Sequence, residues 1–454
     1  MAPTLHHRIS QSSYRSTKSE RLTGSTFGQS LFNSVAVLLG VGILSEPYAF
    51  AQAGWIMGSV LTIGYALLTC YTAKILGRII FEDRKLRTYA DCGRKAFGER
   101  SSILTQLLFC LELFTLCVVL VVLYSDSMQA VFPRFSSSTY KFMGMVILIP
   151  TAFLPLSVIS YTSLLSIIAT LFIVVVLAVD GLSKYDTPGS LLEFAQTSPW
   201  PASSQKLGLS FGLFMAGFSG HAVIPSIARD MRHPEEFDSM INYAFAITTA
   251  VYGTVGACGY LMFGNDVSDE ISWDLHNTAG YNATLGQIGL WMLVIGPITK
   301  FPLSTRPLNI MFEMLLNIDP NSQLLRKRRL TEQRSSASLQ ESILAQASQR
   351  EIPHNGLWRS IIASQFILLA TERIALVLAI VGVAVVVPQF GTVMSILGAF
   401  CAFSLCVIGP LAAKLTIYRA TGWSTARDWC LFVISVVMCV WGTVACVLNR
   451  EEGL

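Results

Sequence analysis

Long apolar runs dominate this chain and restrict it to folds that are built inside a membrane. A helix needs about 20 apolar residues to cross the hydrocarbon core of a bilayer, and eleven such runs can be read from the sequence. Only 13% of the residues are charged and 52% are hydrophobic, whereas about 25% of a soluble domain is charged. The sequence therefore predicts an all-α polytopic membrane protein. The predicted spans lie near residues 27–50, 55–80, 102–131, 140–156, 161–180, 207–228, 239–263, 284–312, 360–387, 391–415 and 428–448.

The number of spans depends on the fourth run, which Pro150 and Pro155 interrupt close to the fifth. One long kinked helix over both runs would give ten spans. Basic residues of short loops stay on the cytoplasmic side, and eleven spans place the basic loops, including Arg326–Arg329, on one side. The segment 264–283, with four acidic residues and no Lys or Arg, then lies on the other side. We therefore predict eleven spans, a cytoplasmic N-terminus and a luminal C-terminus.

Three polar segments border or interrupt the predicted transporter domain, residues 27–448. Residues 1–26 are rich in Ser and lack the apolar region of a cleavable signal, which predicts a flexible cytoplasmic tail. Residues 319–359 are predicted as a solvated cytoplasmic linker between spans eight and nine, and residues 449–454 as a luminal tail. A glycosylation sequon at Asn282 abuts span eight, and its occupancy is left open.

Two predicted spans are interrupted at corresponding positions, five spans apart. Span one contains Gly40–Pro47, and span six contains Gly217–His221 with Pro225 one turn later. Unwound backbone is tolerated in a bilayer only where it is buried or lines a cavity, and paired interruptions of this kind point to the binding site of a transporter. Freed N–H groups at the first break suit a carboxylate, and freed carbonyls suit an ammonium group. The predicted substrate-binding residues are Gly40, Val41, Gly42, Ile43, Leu44, Phe218, Ser219 and Gly220.

Ionisable residues inside spans are costly and therefore indicate functional sites by default. Glu46 lies at the first break and His221 at the second, and either side chain can take up and release a proton in each transport cycle. Lys300, after Thr299 in span eight, could supply a fixed positive charge where a related transporter binds a metal cation. Glu112 in span three is a further candidate.

Structural roles for the same residues stay open at this point. Glu46 and Lys300 could form a static salt bridge, His221 could bond a backbone carbonyl, and Glu112 could pair with Arg306. No Cys/His metal spacing, HExxH motif, nucleophile elbow or phosphate-binding glycine loop is present. We therefore expect no catalytic residue, no metal and no cofactor. The basic residues are spread over loops, which argues against nucleic-acid binding.

Three stretches of the sequence carry a resemblance to a known family. Asn33 with Gly40–Ala49 resembles the first-helix motif of the amino acid/auxin permease family, Ser219–Met231 resembles its span-six motif, and Thr299-Lys300 its span-eight motif. The resemblance extends over nearly the whole chain after the tail and is strongest to fungal vacuolar amino acid transporters. Relatives often carry a second asparagine where this chain has Ala36, and they often have a longer N-terminal extension.

The resemblance implies a five-plus-five inverted repeat of the leucine-transporter type. It also implies proton-coupled movement of neutral amino acids across the vacuolar membrane, with the amino acid, protons and the lipid bilayer as partners. An amino acid sensor that uses the same cavity, or a plasma-membrane permease, is the alternative. A membrane enzyme is disfavoured, because no catalytic motif is found.

Overall fold

The computed structural model describes residues 24–83, 85–154, 156–315, 355–418 and 422–452. The regular secondary structure of these residues is helical, and their one β-type pairing is an isolated bridge between Ser25 and Met231. A 3-10 turn, Val41–Ser45, joins the first two helices, and a π-helical stretch, Leu397–Ile408, joins α13 to α14. The helices are α1 Phe27–Leu38, α2 Glu46–Glu82, α3 Tyr89–Phe97, α4 Glu99–Val131, α5 Ser137–Thr151, α6 Leu156–Ser183, α7 Ser204–Gly217, α8 Ile224–Asp230, α9 Phe237–Phe263, α10 Ile271–Asn277, α11 Ala283–Leu315, α12 Asn355–Val386, α13 Phe390–Ile396, α14 Gly409–Tyr418 and α15 Trp423–Glu452.

Seven helical segments of the described chain are long and apolar enough to cross a membrane. The shorter helices α1 and α6 are apolar as well, and α7 and α8 are the two pieces of an interrupted segment. The prediction of an all-α membrane protein is therefore confirmed, while the count of eleven spans stays a prediction. The seven segments are Val41–Glu82, Glu99–Val131, Pro234–Asp266, Ala283–Glu313, Ile367–Val386, Phe390–Tyr418 and Trp423–Leu448.

The region of the fourth and fifth predicted spans contains two helices. Helix α5 ends at Thr151, directly after Pro150, and α6 begins at Leu156. Proline has no N–H group and is poorly accommodated inside a helix, and Pro150 lies in the last turn of α5, one residue before its end. The chain therefore forms two helices here and not the single long kinked helix of the alternative.

Ordered structure extends past three of the predicted boundaries, which stay predictions. Ser25, predicted within the flexible tail, is held by hydrogen bonds from its N–H to the Asp230 carbonyl and from the Arg232 N–H to its own carbonyl. Helix α12 begins at Asn355, inside the predicted linker, and α15 continues to Glu452, inside the predicted luminal tail. Polar residues do not stop a helix that leaves the membrane, so a helix can continue past its apolar part. The rest of the predicted tail and linker lies outside the described residues.

Helix packing pairs elements that lie five predicted spans apart. Helix α2 packs against α9, and α4 packs against α11; these are the second and seventh, and the third and eighth, predicted spans. Helix α7 packs against α2, α15 and the π-helical stretch. The breaks at the ends of α1 and α7 therefore lie among several packed helices.

Candidate substrate site at two helix breaks

The first break separates α1 from α2 within the first predicted span. Helix α1 ends at Leu38, Gly40 has extended backbone angles (φ −96°, ψ −164°), and the 3-10 turn begins at Val41. The first N–H groups of any helical turn have no partner within it. The N–H groups of Val41 and Gly42 are in that position here, so the backbone groups predicted to bind a carboxylate do lie at the interruption.

The second break separates α7 from α8. Helix α7 ends at Gly217, and α8 begins at Ile224 with Pro225 in its first turn. Between them Gly220 has a φ of +136°, which a residue with a Cβ rarely adopts. The last carbonyls of α7 therefore end close to Phe218, Ser219 and Gly220, the residues predicted to bind the substrate at this break.

The two breaks touch each other directly. A Cβ placed on Gly42 would lie 3.0 Å from the Gly217 Cα and 3.2 Å from its nitrogen. A Cβ on Gly220 would lie 2.8 Å from Cγ1 of Val37 in α1. The chain therefore brings the N-terminal end of one half-helix, which has positive dipole character, beside the C-terminal end of another, which has negative character.

Tyr252 of α9 joins the two breaks, and no feature of the sequence marks it as a site residue. Its buried hydroxyl donates to the Leu38 carbonyl at 2.5 Å and accepts the Gly40 N–H at 3.3 Å. Its ring packs edge-on against Phe218, with 5.7 Å between the ring centroids. One tyrosine thus adds hydrogen bonds to the Leu38 carbonyl and the Gly40 N–H, which also bond to each other at 2.8 Å, and it supports the second break.

Tyr252→Phe is expected to destabilise the protein by about 0.5–1.5 kcal/mol, because it removes one of the two hydrogen bonds to the Leu38 carbonyl and leaves that from the Gly40 N–H. Tyr65→Phe is the matched control, since the Tyr65 hydroxyl is buried and has no hydrogen-bond partner in the described residues. Thermal unfolding of both variants in detergent measures the difference. Equal unfolding temperatures for the two variants would contradict the role of Tyr252.

Glu46 reaches from the first break to the second. It is the first residue of α2, its side chain is 1% exposed, and Oε1 lies 2.7 Å from the position of a Cβ on Gly217. Neither carboxylate oxygen has a hydrogen-bond partner within the described chain, so the salt bridge to Lys300 is not formed there. An ionised carboxylate in such a position costs several kcal/mol unless it is paired. A proton or a cationic ligand removes that cost.

His221 is buried at the second break and bonds to α2. Its Nε2 lies 2.9 Å from the Thr69 carbonyl and 3.0 Å from the Thr72 hydroxyl. Because a carbonyl only accepts, Nε2 carries the proton in this arrangement. Nδ1 has no partner in the described residues. The hydrogen bond of His221 to a backbone carbonyl, which was one of the possibilities considered from the sequence, is therefore formed. The other ring nitrogen, Nδ1, is free to accept a hydrogen bond.

Lys300 lies beside the first break. Its Nζ is 3.6 Å from the position of a Cβ on Gly40, so the ammonium group faces the interruption as a cation bound there would. The neighbouring Thr299 hydroxyl donates to the Gly296 carbonyl of its own helix at 2.8 Å. Thr299 and Lys300 were both predicted to take the place of a bound metal cation. In the described residues the Thr299 hydroxyl is used in a hydrogen bond to its own helix, whereas the Lys300 ammonium group makes no hydrogen bond.

Glu112 lies apart from the breaks. It is buried in α4, close to Tyr89, Cys401 and Cys406. Arg306 forms no ion pair with it in the described structure. The proposed pair with Arg306 is therefore not made.

An acidic loop between α9 and α11 lies on the face predicted to be luminal. The Asp274 carboxylate accepts hydrogen bonds from the Ser268 N–H at 2.8 Å and the Ser268 hydroxyl at 2.7 Å. Burial raises the pKa of Asp274 to about 6, a value that includes the opposing hydrogen bonds from Ser268 and a smaller upward contribution from the charge of Asp269. Burial raises the pKa of Glu270 well above its ordinary value, and it raises that of Asp269 against three backbone hydrogen bonds that lower it. The folded loop therefore favours protonation of Asp274 and Glu270, whereas backbone hydrogen bonds favour the charged form of Asp269.

We expect acidification to stabilise the loop. A carboxyl whose pKa is higher in the closed loop than in the open loop contributes stability at low pH, and this contribution is lost as the pH rises through about 6. Amide hydrogen exchange over residues 268–277, corrected for its intrinsic pH dependence, should be faster above this pH than below it. Asp274→Asn should reduce the difference. Equal protection of the wild-type loop on both sides of the pKa would contradict the expectation.

Solved structures of the same fold share little sequence with this chain. Mhp1, a nucleobase-cation-symport-1 family transporter, in a closed conformation with bromovinylhydantoin bound, matches with a TM-score of 0.54 and 12% identity, over 94% of this chain and 92% of that one. A manganese transporter of Eremococcus coleocola matches with a TM-score of 0.50 and 12% identity, over 92% of this chain and 87% of that one. These similarities show a fold of the leucine-transporter type.

Relatives by sequence are amino acid transporters of Arabidopsis thaliana. Amino acid transporter AVT1B is 29% identical over 95% of this chain and 71% of its own length, and amino acid transporter AVT1D is 27% identical over 90% and 67%. The family model described as transmembrane amino acid transporter protein matches residues 23–448, which include both breaks, Glu46, His221 and Lys300. The chain is thus a multi-pass membrane protein that belongs to the transmembrane amino acid transporter family.

Proposed function

We propose that this chain is a secondary active transporter that moves neutral amino acids across the vacuolar membrane by alternating access, coupled to protons. The observation that carries the proposal is the direct contact of the two breaks, Gly42 against Gly217, with the unpartnered Glu46 carboxylate between them.

The contact of the breaks suits a zwitterion. The N–H groups of Val41 and Gly42 lie at the start of a helical turn, where an anion is favoured, and the carbonyls that end α7 favour a cation. The α-carboxylate and α-ammonium of an amino acid match these two ends. The buried side chains of Ile43 and Phe218 leave an apolar environment for an uncharged substrate side chain.

We propose a proton as the coupling ion because three ionisable side chains lie at or beside the breaks. Glu46 and His221 each keep a buried side-chain atom without a hydrogen-bond partner in the described residues, and Lys300 places its ammonium group beside Gly40. A fixed cation there repels sodium. Glu46 is proposed as the proton carrier and His221 as a support of the second break.

The inverted repeat and the orientation belong to the same proposal. Contacts of α2 with α9 and of α4 with α11 are those expected when corresponding spans of two halves pack together. The asymmetry of basic residues in the loops favours a cytoplasmic N-terminus and a luminal C-terminus. The vacuolar membrane rests on the resemblance to fungal vacuolar transporters.

Purified protein in proteoliposomes tests the proposal. A panel of labelled amino acids is offered under an imposed pH gradient, and again under a sodium gradient without a pH gradient. We expect uptake of neutral amino acids with the pH gradient only. Binding without flux would instead indicate a sensor, and uptake driven by sodium alone would contradict proton coupling. Location at the plasma membrane in cells would favour a permease of that membrane.

A further inference from the structure

A cavity of about 330 Å³ opens between the acidic loop and the ends of three transmembrane segments. Its size is at the lower end of small-molecule pockets. Tyr48, two residues after Glu46, and Leu209, on the same helix as Gly217, form part of its wall. The cavity therefore adjoins the two half-helices that meet at the breaks, on their predicted luminal side.

Asp269 supplies the only ionisable carboxylate among the residues that line the cavity. Its Oδ2 accepts the Gly391 N–H at 2.8 Å, which holds the loop against the start of α13. The backbone N–H groups of Asp269 and Glu270 also hydrogen-bond to this carboxylate. The carboxylate is therefore held in place and still has acceptor capacity for an ammonium group.

Hydrogen-bond donors lie next to this carboxylate. A Cβ placed on Gly391 would lie 3.3 Å from Asp269 Oδ2 and 3.3 Å from Cε1 of Tyr48, so the acid and the phenol flank the same glycine. The Tyr48 hydroxyl makes no hydrogen bond within the described chain. The Gln389 amide oxygen accepts from the Thr392 hydroxyl at 2.8 Å, which leaves the NH2 group of Gln389 as a second donor.

We propose that this cavity is a second binding site for the transported amino acid, on the luminal side of the breaks. Asp269 binds the α-ammonium group, and Tyr48 and Gln389 bind the α-carboxylate. The inference rests on the proposed function. One carboxylate with neutral donors suits a zwitterion, whereas a divalent metal ion prefers several oxygen ligands of which more than one is usually anionic.

The test is equilibrium binding to the purified full-length protein with a uniformly 14C-labelled mixture of proteinogenic amino acids. Asp269→Asn keeps an acceptor for the Gly391 N–H but removes the charge, and its saturating binding capacity should fall by roughly half relative to wild type. Tyr48→Phe removes a donor that the described protein does not use, and it should weaken the same site several-fold. Asp266→Asn is the control, because it removes an exposed carboxylate of the same loop that lines no part of the cavity.

A variant with the breaks disrupted separates the two sites. In Gly42→Val protein the remaining binding should be lost on adding Asp269→Asn and kept on adding Asp266→Asn. Equal capacity for Asp269→Asn and Asp266→Asn, with transport in proteoliposomes intact, would overturn the second site and leave the transporter standing. If the wild-type protein neither binds nor transports any amino acid of the mixture, both proposals fail.

Discussion

Replacement of Gly42 by Val is expected to reduce amino acid transport by about 100-fold, the loss that a displacement of roughly 1 Å in a positioned site can cause. A Cβ at this position would lie 3.0 Å from the Gly217 Cα, a main-chain atom that has little room to move. The added side chain therefore pushes the two breaks apart, and binding is lost through the geometry of the site.

Gly64→Val is the matched control for this change. Gly64 lies on the exposed side of α2, and a Cβ placed there has no neighbour within 4 Å. Both variants should be expressed, reach the membrane and unfold cooperatively, and only Gly42→Val should lose uptake in proteoliposomes. Normal uptake by correctly folded Gly42→Val protein would show that the substrate does not bind where the breaks meet.

Lys300→Ala is expected to silence or uncouple transport. The substitution removes the ammonium group 3.6 Å from the Cβ position of Gly40 and leaves the first break without its fixed cation. Lys206→Ala, which removes an exposed lysine of α7, should transport at the wild-type rate. The measurement is uptake under a pH gradient, repeated with sodium alone.

Two outcomes would contradict the role of Lys300. Proton-coupled uptake by Lys300→Ala at the wild-type rate would show that the ammonium group is dispensable. Sodium-driven uptake by the unmodified protein without a pH gradient would show that a metal cation binds despite it.

The helix breaks could be predicted from the sequence, because glycine and proline act on the backbone locally. Gly40, Gly217 and Pro225 mark interruptions whatever the rest of the chain does. The same local logic placed Glu46 and His221 at the breaks. Local sequence patterns do not give the distance between residues that are far apart in the chain. The contact of Gly42 with Gly217 could therefore be found only from the structure.

Tyr252 was missed for the same reason. In the sequence it is one aromatic residue in a long apolar run, and nothing nearby distinguishes it from a core residue. Its role comes from hydrogen bonds to Leu38 and Gly40, which lie more than two hundred residues earlier. The bond of His221 to Thr69 is long-range as well. The helix start at Asn355 and the helix end at Glu452 belong to helices that extend beyond their apolar part.

The most direct test of the account is substrate-induced proton flux in proteoliposomes that contain wild-type, Glu46→Gln or His221→Gln protein. We expect Glu46→Gln to bind and exchange amino acids without proton flux, because its amide cannot carry the proton. His221→Gln should bind more weakly and transport more slowly, yet keep proton flux in proportion to uptake, since an amide can still donate to the Thr69 carbonyl. Full proton flux with Glu46→Gln and none with His221→Gln would assign the proton to His221 and contradict the proposed mechanism.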